Sequence, residues 1–438
     1  VTAVPLTSRR DFLAGLSAAS AGVAALPALN ESAFRRLFEA ELVAGDRPAQ
    51  SLANDETYWS HIQRAFDMDR TMINLNNGGI SPTPTHVLQQ MVRDLQFVNE
   101  LPVEHNWRVL EPRMEATRRE LAKEFGCDTE EMAVTRNASE SLETMILGLD
   151  LQRGDEVIIT NQNYGRMIVT WEQRVRRDGI VLKQVSFPVP LTDPQLLVRR
   201  IAEQITPRTK AIELPHITNL TGQILPIRDI VQLARPRSIP VFVDGAHAFA
   251  HFPFTRDELE CDYYGTSLHK WLHAPIGAGF LYVRKEKIAG LWPLMAAEEK
   301  DTANIRKYEQ IGTHPQANFN AVSTALTFHR GIGVERKAAR LRYLRDRWAK
   351  ALLDASPRVK VLTELGPDKA GAICMFDVEG IDPGQLGGWL LNNYKIVNTP
   401  IVHPEFKGIR ITPSIYTTVD ELDTFVDAVK VAIQTLAR

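Results

Sequence analysis

Apolar residues along this chain follow two spacings, and the switch between them sorts it into elements. Short strand-like runs recur at Met132–Thr135, Glu156–Thr160, Ile180–Val185, Ala211–Leu214, Pro240–Val243 and Gly279–Val283. Between several of them lie Met167–Arg177, Thr192–Ile205 and Pro226–Ala234, each long enough for a crossover helix. Such alternation predicts an α/β fold with a mostly parallel sheet covered on both faces. Upstream, Phe34, Leu37, Phe38 and Leu42 recur at three- and four-residue spacing in a helical, charged segment from Glu31 to Arg70. Ile73–Asn77 reads as a short strand running into a turn at Gly78-Gly79, and Pro82 and Pro84 pre-set the chain before a helix over Thr85–Phe97. A further helix is expected over Arg108–Phe125, ended by Gly126. From about Gly331 the pattern changes to a long charged helix, Val334–Leu353, then short strands near Val359–Leu362, Ala372–Asp377 and Ile409–Pro413 between helices Pro383–Asn392 and Val419–Leu436. The expected division is therefore residues 31–70 as a helical segment, 71–330 as a large domain and 331–438 as a smaller α+β domain.

Composition narrows the function classes. The chain has 438 residues, 44% hydrophobic and 24% charged, enough for two cores. Lys and Arg total 51 against 53 Asp and Glu, so no global positive field collects nucleic acid, and Arg174, Arg176 and Arg177 read as a helix face. The three cysteines, Cys127, Cys261 and Cys374, form neither a disulfide framework nor a zinc pattern. Ser8-Arg9-Arg10-Asp11-Phe12-Leu13 precedes a small, weakly apolar run from Ala14 to Ala28 without an acidic residue. That arrangement predicts a twin-arginine signal over residues 1–30 and a periplasmic protein. The competing reading is a basic start arisen by chance in a cytoplasmic protein. The run is too short and too rich in Ala and Gly for a stable membrane span.

Candidate chemistry concentrates between Val241 and Lys285. Asp244 ends one strand-like run, and Lys270 lies in Thr266-Ser267-Leu268-His269-Lys270-Trp271 before the next. A lysine there suits a Schiff base to a buried aromatic cofactor, with the acid holding a ring nitrogen protonated. An aspartate at a strand end and a solvent-facing lysine is the plainer alternative. Arg136-Asn137-Ala138-Ser139-Glu140 joins a strand to the helical run Ser141–Leu149, which makes either a phosphate seat at a helix N-terminus or an ordinary N-cap.

Together these motifs resemble the class V branch of fold-type-I pyridoxal-phosphate enzymes, most closely its isopenicillin N epimerase-like subgroup. The signature is Val243-Asp244-Gly245-Ala246-His247, followed by Ser267-Leu268-His269-Lys270-Trp271. The resemblance implies a large domain with a mostly parallel seven-stranded sheet, a smaller C-terminal α+β domain, and pyridoxal 5'-phosphate as cofactor. It implies Lys270 as the lysine joined to the cofactor and Asp244 as the partner of its pyridine nitrogen. Asn137, Ala138, Ser139, Ser267 and His269 correspond to the phosphate seat, Tyr164 to a residue stacked on the ring, and His247 to a neighbour of the ring. Asn219 corresponds to the contact with the phenolic oxygen. Arg410 corresponds to the clamp on a substrate carboxylate, with Asn77 beside it. Glu309-Gln310-Ile311-Gly312-Thr313 resembles a segment that reaches into a neighbouring subunit's site, which implies a homodimer with Thr313 on the phosphate. His216 reads as a packed histidine.

The implied activity acts at the α-carbon of an amino acid or amino-acid derivative. Epimerisation or racemisation leads, with C–S lyase action on S-substituted cysteines or transamination as alternatives. A non-catalytic pyridoxal-phosphate-binding periplasmic module is a further alternative of a different class. A cysteine nucleophile of the desulfurase kind is missing from Asn398–Phe406. Tyr164, His403 and Tyr416 are the candidates for a second acid or base.

Overall fold

The computed structural model describes residues 31–436. The expected export signal, residues 1–30, lies outside them. In chain order the strands are β1 (Ile73–Asn74), β2 (Met132–Thr135), β3 (Glu156–Thr160), β4 (Val181–Val185), β5 (Thr209–Pro215), β6 (Val241–Asp244), β7 (Tyr263–Ser267), β8 (Gly279–Val283), β9 (Val359–Val361), β10 (Cys374–Val378), β11 (Ile396–Val397), β12 (Thr399–Val402) and β13 (Lys407–Ile411). Seven of them form one sheet in the order β2-β8-β7-β6-β5-β3-β4. β4, β3, β5, β6 and β7 run parallel, whereas β8 is antiparallel to both β7 and β2. Six of the seven are visible in the sequence: strands buried on both faces read as near-continuous apolar runs, as β2, β3, β6, β8 and most of β5 do, while the largely exposed edge strand β4 shows through Val181, Leu182 and Val185.

The seventh, β7, is Tyr-Tyr-Gly-Thr-Ser, and its polar and glycine residues hide it from hydrophobic patterning. Gly265 is required there, because a Cβ would stand 2.8 Å from Ser141 Cβ on the covering helix Ala138–Gly148. The helix Ala317–Ile332 was equally silent. It is buried on nearly all sides between the helices Thr85–Glu100 and Glu111–Phe125, so it has no one-sided apolar stripe.

The segment 31–70 is not one helix but three, Glu31–Ala44, Ala49–Leu52 and Glu56–Gln63. The first ends at Gly45, in the left-handed region with φ +54°, and Pro48 caps the second. Within it Leu37, Ala40 and Ala44 face the core, while Leu42 is exposed.

A second sheet, antiparallel in the order β12-β13-β10-β9, backs onto the helices Val334–Ala355 and Val419–Leu436 around Trp348, Phe376 and Phe425. β1 pairs parallel with β11, and Leu75 joins this C-terminal core, so the chain near residue 73 is sewn to the C-terminal sheet rather than to the large one. Asn76 then bridges to Thr412, which brings the Asn-Asn-Gly-Gly turn against the end of β13. Among the described residues no helix is long and apolar enough to cross a membrane.

Candidate active site

A cavity of about 170 Å³ opens at the carboxyl ends of the parallel strands. This is the edge where open α/β sheets place their ligands. Its lining brings together Asn137, Ala138, Ser139, Tyr164, Asn219, Asp244, His247, Ser267, His269 and Lys270, from segments spread over more than a hundred residues.

One end is built on the start of the helix Ala138–Gly148. Asn137 is its N-cap, in an extended conformation, and its side chain accepts from the Glu140 N–H at 2.9 Å. The Ala138 N–H donates to Ser267 Oγ at 2.9 Å, which ties β7 to the helix start. Gly279 makes that approach possible: a Cβ there would lie 2.8 Å from Asn137 Cα and 2.5 Å from the Thr266 carbonyl. The helix dipole and these amide and hydroxyl groups favour an anion at this end.

The floor is Asp244, the last residue of β6. Its Oδ1 accepts from the Ala246 N–H at 3.0 Å, and burial pushes its carboxyl up, opposed by that hydrogen bond and by Lys270. The carboxylate has no ion pair of its own among the described residues. A protonated ring nitrogen placed against it would hold it ionised.

Lys270 faces the cavity with Nζ 3.2 Å from His247 Nε2. Burial pushes its amine down to about 8, with Arg410 adding to the effect and Asp244 opposing it. His247 is held well below its ordinary value by burial and then by Lys270, and His269 is brought down to about 4 by the same two causes. Both imidazoles are therefore pushed toward the neutral form.

Arg410, on β13, enters from the C-terminal sheet. Its guanidinium donates to the Asn219 carbonyl at 2.7 Å, to Asn76 Oδ1 at 2.9 Å and to Thr399 Oγ1 at 3.4 Å. It is buried and makes no ion pair with an acid among the described residues. Burial lowers it only to about 10, so it remains a cation in need of an anion.

These residues fit pyridoxal phosphate. The helix end suits its phosphate, Asp244 its ring nitrogen, and the Lys270 amine its aldehyde carbon. Asn219 Oδ1, His247 Nδ1 and His269 Nδ1 are all buried at the cavity without a hydrogen-bond partner from the chain.

Two sequence expectations move. Asn77 is not a substrate ligand: it is fully buried, its Nδ2 donates to the Thr412 carbonyl at 2.9 Å and the Asn74 carbonyl at 3.1 Å, and its Oδ1 takes the Tyr416 hydroxyl. The preceding residue, Asn76, is the one that touches Arg410. Tyr416 is consumed in the same packing, and burial pushes its phenol up. His403 Nε2 donates to the Asn161 carbonyl at 3.1 Å, outside the cavity lining. Of the three proposed second acids or bases only Tyr164 borders the cavity. Thr313 is exposed and does not line the cavity of its own chain.

His216 is buried and neutral, pushed down to about 3 by burial, against Phe252 and Phe254. All three cysteine thiols are pushed up, chiefly by burial, and none reaches the cavity. Sequence reading passed over Glu213, a fully buried acid in β5, whose only signal is a lone carboxylate among the apolar residues of a central strand.

Fold and site together define a pyridoxal-phosphate enzyme of fold type I. The aminotransferase class-V profile matches residues 73–399, and the chain belongs to that family. It is 27% identical over 387 residues to isopenicillin N epimerase of Streptomyces clavuligerus, which covers 84% of this chain and 97% of the relative. It is 30% identical over 334 residues to a probable cysteine desulfurase of Halobacterium salinarum, covering 71% of this chain and 79% of the relative. Two structures of the cystine C–S lyase C-DES superpose with TM-scores of 0.74 and 0.73, each at 23% identity. They cover 84% and 82% of this chain and 98% of their own, and one carries glycine covalently linked to its pyridoxal-phosphate cofactor.

Proposed function

We propose that this enzyme is an epimerase or racemase acting at the α-carbon of an amino acid or amino-acid derivative with a free α-carboxylate. The observation that carries the reading is Arg410, a buried guanidinium without an acidic partner among the described residues, bonded to the carbonyl of the cavity-lining Asn219 and near enough to Lys270 and His247 to act on both electrostatically. A carboxylate satisfies that charge in a fixed orientation. Pyridoxal phosphate, when bound, supplies the electron sink that makes loss of the α-proton feasible.

The chain's own residues do the rest. The helix start at Asn137–Ser139, with Ser267 and His269, anchors the phosphate, and Asp244 keeps the proton on the ring nitrogen. Arg410 orients the α-carbon. Lys270, whose amine is half neutral near pH 8, takes the proton from that carbon. Tyr164 is placed to handle a proton from elsewhere in the cavity, which return to the opposite face of the carbon requires. The similarity to an epimerase, which spans nearly all of that relative, supports this branch. C–S lyase action is the second reading, supported by the likeness to C-DES; three thiols pushed up by burial, none of them lining the cavity, speak against a cysteine-nucleophile desulfurase.

The test is a panel of L- and D-amino acids and S-substituted cysteines given to the cofactor-loaded enzyme in deuterated water. The expected result is deuterium at the α-carbon with inversion of configuration. Release of pyruvate and ammonia, or formation of a keto acid, would instead establish the lyase or the aminotransferase.

Assembly and location belong to the same reading. Leu88, Val92 and Leu95, spaced on one side of the helix Thr85–Glu100, are 44%, 41% and 41% exposed, and Leu101, Val103 and Trp107 extend the apolar surface. A second copy of the chain covers it and brings the partner's segment around Thr313 to this site. Residues 1–30 direct export to the periplasm; N-terminal sequencing of periplasmic protein checks this, and only uncleaved cytoplasmic protein would refute it.

A further inference from the structure

One buried ionisable group near the site has no part in the mechanism above. Glu213 lies in the middle of β5 at 0% exposure. In the parallel register Glu213 pairs with Phe242 and Pro215 pairs with Asp244. Side chains two apart on a strand share a face, so Glu213 stands on the same face of the sheet as Asp244, roughly 7 Å further from the strand end.

Its contacts are few. Oε2 accepts from the Trp171 indole N–H, while Oε1 is buried without a partner. Asn163 Nδ2 donates to the Glu213 main-chain carbonyl at 3.2 Å. No lysine or arginine among the described residues pairs with it. Arg174, one turn along the helix from Trp171, is turned away to the Ile146 and Leu149 carbonyls and to Asp178. Asp244 is thus the ionisable group acting on Glu213, and Lys270 and Arg410 act on the cavity side beyond it. A buried carboxylate with one neutral donor and an anionic neighbour is strongly disfavoured, so the acid keeps its proton.

We propose that Glu213 is a positioning residue acting through Asp244: a neutral acid in the resting site, it becomes a second anion behind Asp244 when it releases its proton, strengthening the hold on a protonated ring nitrogen. This rests on the reading that Asp244 meets that nitrogen. Burial, joined by Asp244, pushes Glu213 up to about 8, against the pull of Trp171 and Asn163. The switch therefore falls in the range where Lys270 also loses its proton.

The experiment uses the full chain as wild type, E213Q, W171F and D244N. Gln keeps the shape and the acceptor for Trp171 but never ionises. With pyridoxal phosphate bound, visible absorbance is followed from neutral to alkaline pH. Wild type and E213Q should agree at neutral pH, and a transition near pH 8 should be lost in E213Q. In W171F it should move to higher pH, because the indole favours the ionised form. The cofactor-free chains supply a second readout, unfolding by denaturant against pH. Folded Glu213 retains a proton that the unfolded chain has released above about pH 4.5, so wild-type stability falls as pH rises from there to about 8. E213Q should show a slope shallower by one proton. An unchanged absorbance transition together with an unchanged slope in E213Q overturns the proposal. If D244N binds the cofactor with an unaltered spectrum and affinity, the placement of Asp244 fails instead, a result separable from the E213Q slope.

Discussion

Arg410 and Asn76 show how a single side chain is prepared for a ligand. A guanidinium has five donors; here three protein acceptors fix its plane, and Nε is left buried without a partner. The acceptors are an amide, a carbonyl and a hydroxyl, so none neutralises the charge. Replacing Arg410 with Ala should reduce kcat/KM for α-carboxylate substrates by about 10- to 100-fold, the worth of one hydrogen bond to a charged group. The visible absorbance of the bound cofactor should stay intact, which steady-state kinetics and a spectrum check together. Asn76→Asp should be nearly as damaging, because a carboxylate beside Arg410 competes with the substrate's own. The residues at Asp244, Lys270 and Arg410 were legible in the sequence because their motifs are short and local. Asn76 was misassigned to its neighbour because two adjacent asparagines in a turn point in opposite directions, and only the pairing with Thr412 decides which faces the site.

At the scale of elements, the phosphate end depends on how closely β8 and the helix Ala138–Gly148 approach. Gly279→Ala inserts a methyl where the nearest atoms are main chain, which cannot yield as a flexible side chain would. The expected cost is about 1–3 kcal/mol of stability. Because the displaced atoms belong to Thr266 and Asn137, cofactor affinity should also fall, by about tenfold for each 1.4 kcal/mol lost at the seat. Thermal unfolding and cofactor titration read the two effects. β7 carries Ser267 to this same junction, yet its Tyr-Tyr-Gly-Thr-Ser run does not announce a strand. Its conformation is imposed by β6 on one side and β8 on the other. The apolar runs of β3, β5 and β6 needed no such help, since Val, Ile, Leu, Phe and Ala fill most of their buried positions.

For the molecule as a whole, the site is a junction between two sheets. The large sheet supplies the cofactor end, and the C-terminal sheet supplies Arg410. They are held in register by His251, whose Nδ1 meets the His247 carbonyl at 2.8 Å and whose Nε2 accepts from the Ala372 N–H at 2.7 Å. The exposed apolar side of the helix Thr85–Glu100 is the surface proposed for a second copy. Leu88→Lys with Val92→Lys should convert the proposed dimer to monomer in light scattering and should lower activity, as each site would lose the segment around Thr313 that the second copy is proposed to supply. A double variant that stays dimeric would refute that assignment of the surface.

The chain's sequence alone determined the alternation of strands and helices and the cofactor class, and it singled out the acid and lysine proposed to serve that cofactor. These depend on burial periodicity and on motifs a few residues long, both of which are local. Only the tertiary structure decided that Asn76 rather than Asn77 meets Arg410, that Tyr416 and His403 stand away from the cavity, and that Glu213 lies behind Asp244. Each of those depends on which strands lie side by side, and the register between residues hundreds of positions apart is set by packing of the whole core, which no short stretch of sequence encodes.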